Sequence, residues 1–79
     1  MDKNEFVEEL EELALQMVNC KIIYKSEAGV NMVTVERIRR VFLGGGNWFI
    51  ETGKGMVIGM ERLIEVGGRR NPDLGAEYA

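Results

Sequence analysis

GGGNWFIETGKG, residues 44 to 55, has two incompatible readings. It is either a glycine-rich loop that cradles phosphate, or two chain reversals around one buried strand. A Walker-type loop needs Gly, four residues, Gly-Lys and then Ser or Thr. Counting back from Gly53-Lys54 puts Trp48 where the first glycine belongs, and Gly55 stands where the hydroxyl belongs. The dinucleotide fingerprint G-x-G-x-x-G fails as well. From Gly44 and Gly46 the third position is Phe49, and from Gly53 and Gly55 it is Ile58. No helical pattern follows either cluster, so no helix N-terminus is offered to an anion. The glycines therefore serve chain reversal, since positive φ is cheap for Gly and tight hairpins demand it. NWFIET (47–52) is then a strand between two turns, with Trp48 and Ile50 on one face and Phe49 on the other.

Strands extend in both directions from this one. Upstream, CKIIYK (20–25) is rich in β-branched and aromatic residues, SEAG (26–29) is a turn, and VNMVTV (30–35) alternates. RRVFL (39–43) is a further strand or the continuation of the previous one after a bend. Downstream, MVIGM (56–60) and LIEV (63–66) complete the set. An internal echo supports paired units: VERIRRV (35–41) matches MERLIEV (60–66), and the fifteen residues 23–37 lie over 48–62, turn over turn.

DKNEFVEELEELALQMV has helical period. Phe6, Leu10, Leu13 and Met17 form one stripe, widened by Val7, Ala14 and Val18, and most of the acids lie on the other side. Asp2 with Glu5 fits an acidic capping box, and Asn19 is the expected stop. Leu15 falls outside the stripe and marks a candidate partner surface together with Glu8, Glu9 and Glu12. The expected architecture is α+β. A helix over 2–18 precedes a five-stranded, strongly bent antiparallel barrel of Sm or SH3 type over 20–66. Residues 1–66 make one small domain, and 67–79 form a polar, flexible tail.

Composition narrows the chemistry. There are 79 residues, no histidine and a single cysteine. The commonest general base and the usual metal ligand are missing, and no internal disulfide can form. Cys20 reads as a small buried hydrophobe. No catalytic residue, metal site or cofactor is expected. No apolar run approaches the ~20 residues of a membrane span, and MDKNEF is too acidic for a secretory signal. The expected location is the cytoplasm of a bacterium, or of a host cell infected by a phage.

Charge is divided unevenly. Residues 1–19 carry six acids and one lysine, −5 in all, while 20–79 carry nine bases and seven acids, +2, which together give the net −3. The acidic helix is a solvated face or a surface that occupies a basic site on another protein. Arg37, Arg39 and Arg40, with Lys54 and Arg62, are the candidate nucleic-acid or partner-binding residues. The competing expectation pairs these arginines with Glu36, Glu61 and Glu65, which suits a chain of pI near 4.9.

Three segments carry a family resemblance: Ile22-Ile23-Tyr24, Gly46-Asn47-Trp48-Phe49-Ile50 and Met60-Glu61-Arg62-Leu63. In order and spacing, over about residues 20–66, they resemble the WYL domain, with its I-x-Y strand, G-x-W-Y-L strand and R-L-D-R-I closure. The resemblance implies an Sm-like, SH3-like barrel, with Trp48 and Phe49 in the strand that names the family. It also implies a ligand-sensing regulatory module for nucleic acid or nucleotides. The family's arginine before the closing leucine falls at Gly59, and no helix-turn-helix accompanies the barrel. The leading expectation is a non-enzymatic small-barrel binding module. The alternative is a small acidic inhibitor, such as a phage anti-defence protein, that blocks a nucleic-acid-handling host enzyme. In either case exposed strand edges favour a homo-oligomer, most simply a dimer.

Overall fold

The computed structural model describes residues 2–72. Helix α1 spans Lys3–Gln16. Asp2 caps it, with its side chain accepting from the Glu5 amide at 2.9 Å. The helix stops earlier than expected. Met17, not Asn19, is the terminating residue, in the left-handed region at φ 55°, with its amide donating to the Ala14 carbonyl. That reversal takes Met17 and Val18 off the apolar stripe and leaves both exposed. Phe6, Val7, Leu10 and Leu13 are the buried stripe.

Seven antiparallel strands follow, in two open sheets and not one closed barrel. They are β1 (Cys20–Lys25), β2 (Asn31–Glu36), β3 (Ile38–Gly44), β4 (Asn47–Thr52), β5 (Val57–Gly59), β6 (Leu63–Val66) and β7 (Arg69–Arg70). One sheet has the order β2-β1-β6-β7 and the other β3-β4-β5. Five strands become seven for two reasons. The run from 31 to 44 is split at the single residue Arg37, where the chain leaves one sheet for the other. Residues 69–70, expected in the tail, pair with β6 instead. Asn71 is fully buried, so the packed unit extends past 66; residues 73–79 of the expected tail lie outside the described residues.

The opening stretch behaves as two reversals. Gly44 pairs with Asn47, leaving Gly45 and Gly46 as a two-residue turn with φ of 58° and 84°. Positive φ at both central positions is the turn whose twist matches a hairpin. The internal echo has a structural counterpart, displaced by one residue at the turns. Ser26 and Thr52 occupy equivalent places, each with its hydroxyl accepting from the amide four residues on (Val30 and Met56). In both turns the third residue on, Gly29 or Gly55, has positive φ and donates its amide back to the Ser26 or Thr52 carbonyl.

The core lies between the sheets and under the helix. Ile22 and Val66 from one sheet meet Ile38, Ile50 and Ile58 from the other, and α1 closes the space with Phe6, Leu10 and Leu13. A 3-10 turn at Met60–Arg62 carries the chain from β5 to β6 and buries Met60. Asn71 holds this turn. Its side-chain amide donates to the Met60 and Leu63 carbonyls at 2.8 Å each, and its own backbone amide donates to Ile64. Among the described residues no helix is long and apolar enough to cross a membrane.

Candidate functional site

The basic candidates do not form one patch. The β3–β4 register shifts between Ile38 and Arg40, setting an extra residue into β3 opposite Glu51. Arg39 and Arg40 both reach that carboxylate, at 3.7 and 2.6 Å. Glu51 is only 18% exposed, but the Arg39 and Arg40 side chains are 58% and 60% exposed, so these are surface ion pairs of modest strength. Arg40 also lies over the Phe42 ring at 4.3 Å, and Phe42 stacks on Phe49 with centroids 5.4 Å apart. The outer face of β3 and β4 is thus a Glu51–Arg40–Phe42–Phe49 series. Arg62 is half-buried and donates through Nε to the Lys25 carbonyl at 2.8 Å, joining the 3-10 turn to β1.

Arg37 and Lys54 come together elsewhere. Both line an open cleft of about 300 Å³, shared with Asn19, Val35, Glu36 and Gly53. The cleft exists because the β4–β5 turn folds against the bend between β2 and β3. The Gly53 amide donates to the Arg37 carbonyl at 2.9 Å. A Cβ on Gly53 would approach Arg37 Cγ to 3.1 Å, so a glycine permits this contact.

Glu36 forms the floor of the cleft and is buried. It accepts from Thr34 Oγ1 at 2.8 Å and from the Lys54 amide at 3.1 Å, and the Thr52 hydroxyl bonds to it as well. Burial pushes its pKa up. The bonds from Thr52, Thr34 and Lys54, with the Lys54 charge, outweigh that and hold it below the ordinary glutamate value. One of the two sequence expectations for the basic cluster paired its arginines with Glu36 on the surface. The structure instead makes it a buried anchor for the turn, held by Thr34, Thr52 and Lys54. A depressed pKa means the ionised form stabilises the fold above the ordinary value of 4.5, and this contribution is lost as pH falls through the folded-state value. Glu36→Gln should therefore be less stable than wild type at pH 7, with the gap narrowing below about pH 4.5. Urea titrations at pH 7 and pH 3.5 check this, and a gap independent of pH would contradict it.

The helix candidates fare differently. Glu8 and Glu12 are exposed and Leu15 is 84% exposed, at i, i+4 and i+7 on the solvent side of α1. Glu9 is not part of that face, because it is ion-paired with Arg69. This contact fixes β7 to the helix. Glu11 joins Leu15, Ala14, Arg39 and Val41 around a second hollow of about 240 Å³, where α1 crosses β3. Trp48 is half-buried and packs against the core, while Phe49 belongs to the outer stack. Cys20 is half-buried, with its thiol directed at the Glu36 carbonyl, and burial raises its pKa against an opposing pull from Arg69.

Sequence reasoning missed Thr52 and Asn71, both fully buried polar residues. The hydroxyl at the head of each five-residue turn was a signal for Thr52. Nothing in the glycine-rich segment around Asn71 distinguished it from a loop residue. No family model matches the chain, and no curated protein or solved structure shows significant similarity to it.

Proposed function

We propose that this chain is a non-enzymatic interaction module on a small barrel of Sm or SH3 type. In this reading it acts in the cytoplasm, by presenting the acidic face of α1 to a basic surface on a protein that handles nucleic acid. The strand order supports the barrel reading. A bent β2–β3 run passes between two sheets, a 3-10 turn precedes β6, and β6 returns to pair with β1. The WYL likeness agrees with it at three points, since Tyr24, Trp48 and Leu63 all pack on the same core.

One observation carries the choice of ligand. Of the arginines that suggested nucleic acid, Arg39 and Arg40 pair with Glu51 and Arg62 bonds a carbonyl, which leaves Arg37 with Lys54 at the cleft. The helix, by contrast, exposes Glu5, Glu8, Glu11 and Glu12 around an apolar Leu15. Charge of this kind steers association and fixes orientation, while a single apolar anchor contributes affinity. An acidic face of this composition mimics the charge of a nucleic-acid backbone, so a basic groove is its natural complement.

A second reading rests on the other cleft. Arg37 and Lys54 flank it, and Asn19 adds amide donors. It suits a small anion or one nucleotide phosphate, although Glu36 beneath offsets part of the charge. Two measurements separate the readings. Labelled single-stranded RNA should show no salt-dependent anisotropy change with the wild-type protein at low ionic strength. Immobilised wild type should capture a nucleic-acid-binding protein from a lysate of the source cell, and Glu8→Lys/Glu12→Lys/Leu15→Glu should not. RNA binding that disappears in Arg37→Glu/Lys54→Glu would overturn the first reading in favour of the second.

A further inference from the structure

We infer that the free edge of β2 pairs with the same edge of a second copy of this chain. β2 is hydrogen-bonded to β1 on one side, and among the described residues no strand lies on its other side. The register with β1 runs without a shift from Cys20↔Glu36 to Lys25↔Asn31, so no bulge twists the edge away. Its sequence, NMVTVE, contains no lysine, arginine or proline. Val30, Met32, Val33 and Val35 are all exposed on or beside it. Proteins guard edge strands with charge, proline, bulges or a covering element, because a bare edge is a template for pairing.

The other edges of the fold are guarded. Helix α1 packs along β3. β7 is two residues long and both are arginine. β5 is three residues long and ends in a glycine. β2 is the long, unbulged edge that remains among the described residues, and its one charged residue, Glu36, is buried at its end.

The strand itself argues for a second copy as the occupant. An antiparallel pair about a two-fold axis at Val33 sets Val33 against its own copy, Met32 against Thr34, and Asn31 against Val35. No charge meets a like charge in that register, whereas like charges directly opposite would destabilise it. Val33 and Val35 share their face with Ile23 and Lys21, their partners on β1. The pairing would merge two apolar patches across the axis, with the Lys21 side chains at the rim. A two-fold contact of one patch with itself is the commonest route to a dimer. Two six-residue strands bury less than the ~1,000 Å² of a tight interface, so the dimer should dissociate on the order of 1–100 μM.

Sedimentation equilibrium of the full chain from 1 to 200 μM tests this. Wild type is expected to pass from monomer to dimer, with amides 31–35 gaining hydrogen-exchange protection as dimer forms. Val33→Lys and Val35→Lys place a guard charge on an exposed position, so each should stay monomeric at least tenfold higher in concentration, with unchanged far-UV circular dichroism. The helix-face triple variant should dimerise as wild type does, so failure here is separable from failure of the proposed function. A wild-type monomer at every concentration, or a dimer insensitive to both lysine variants, overturns the inference.

Discussion

Leu10→Ala should lower the free energy of unfolding by about 2–5 kcal/mol. Leu10 is fully buried where α1 closes the space between the two sheets, in contact with the same cluster as Phe6, Ile22 and Ile50. Truncation removes apolar contact and leaves a cavity that neither sheet can collapse to fill, because both are fixed by their own ladders. A domain of this size has a total stability on the order of 5–10 kcal/mol. The loss is therefore a large share, and the melting temperature should fall by more than about 8 °C. Leu15→Ala, on the opposite face, should stay within about 0.5 kcal/mol. Equal melting temperatures for both variants would mean that the helix does not dock on this core.

Asn71→Ala is expected to cost about 1–3 kcal/mol, more than a polar residue near a glycine-rich segment would ordinarily cost. Its side-chain amide satisfies the Met60 and Leu63 carbonyls inside the core. Alanine removes the side-chain donor to the buried Leu63 carbonyl, and an orphan of this kind costs roughly 1–3 kcal/mol; the Met60 carbonyl loses one donor but keeps the Leu63 amide. Asn71→Asp should be as damaging, since a carboxylate offers the two carbonyls only acceptors. Asn71→Ser tests the geometry, as a hydroxyl can donate to one carbonyl but not to both. Denaturant titrations of the full chain measure all three. A change below about 0.5 kcal/mol in both Ala and Asp variants would contradict the role given to Asn71.

These two residues mark the limits of sequence legibility. Leu10 was visible because helical period needs only its neighbours at three and four residues. The Asp2 cap, the strand around Trp48 and the glycine turns were visible for the same local reason. Asn71 was not, because its partners are eight and eleven residues away and depend on how the 3-10 turn is placed. Glu36 was misassigned for a related reason. An acid beside three arginines suggests a surface pair, and only the fold of the β4–β5 turn over the strand junction brings Thr52 and the Lys54 amide to it. Met17 followed the apolar stripe in sequence, yet the helix ended on it. A methionine in the left-handed region carries no local signal, whereas Asn19 two residues later does. The split of one long strand at Arg37 was open in the sequence as a bend, and the two-sheet arrangement makes it a crossing point.

The basic candidates show why a site is harder to read than a fold. Five basic residues looked like one patch in a linear sequence. In three dimensions they divide among a surface ion pair, a carbonyl contact and one cleft. The acidic face of α1 stays together because a helix fixes its spacing.

Zero-length carbodiimide crosslinking in a lysate of the source cell tests the central proposal most directly, since it joins a carboxylate only to an amine already in contact with it. Peptide mapping should find Glu8, Glu11 or Glu12 joined to lysines of a nucleic-acid-binding protein, and high salt should suppress the product. Crosslinks confined to carboxylates off the helix, or none from α1 while labelled RNA binds through Arg37 and Lys54, would contradict it.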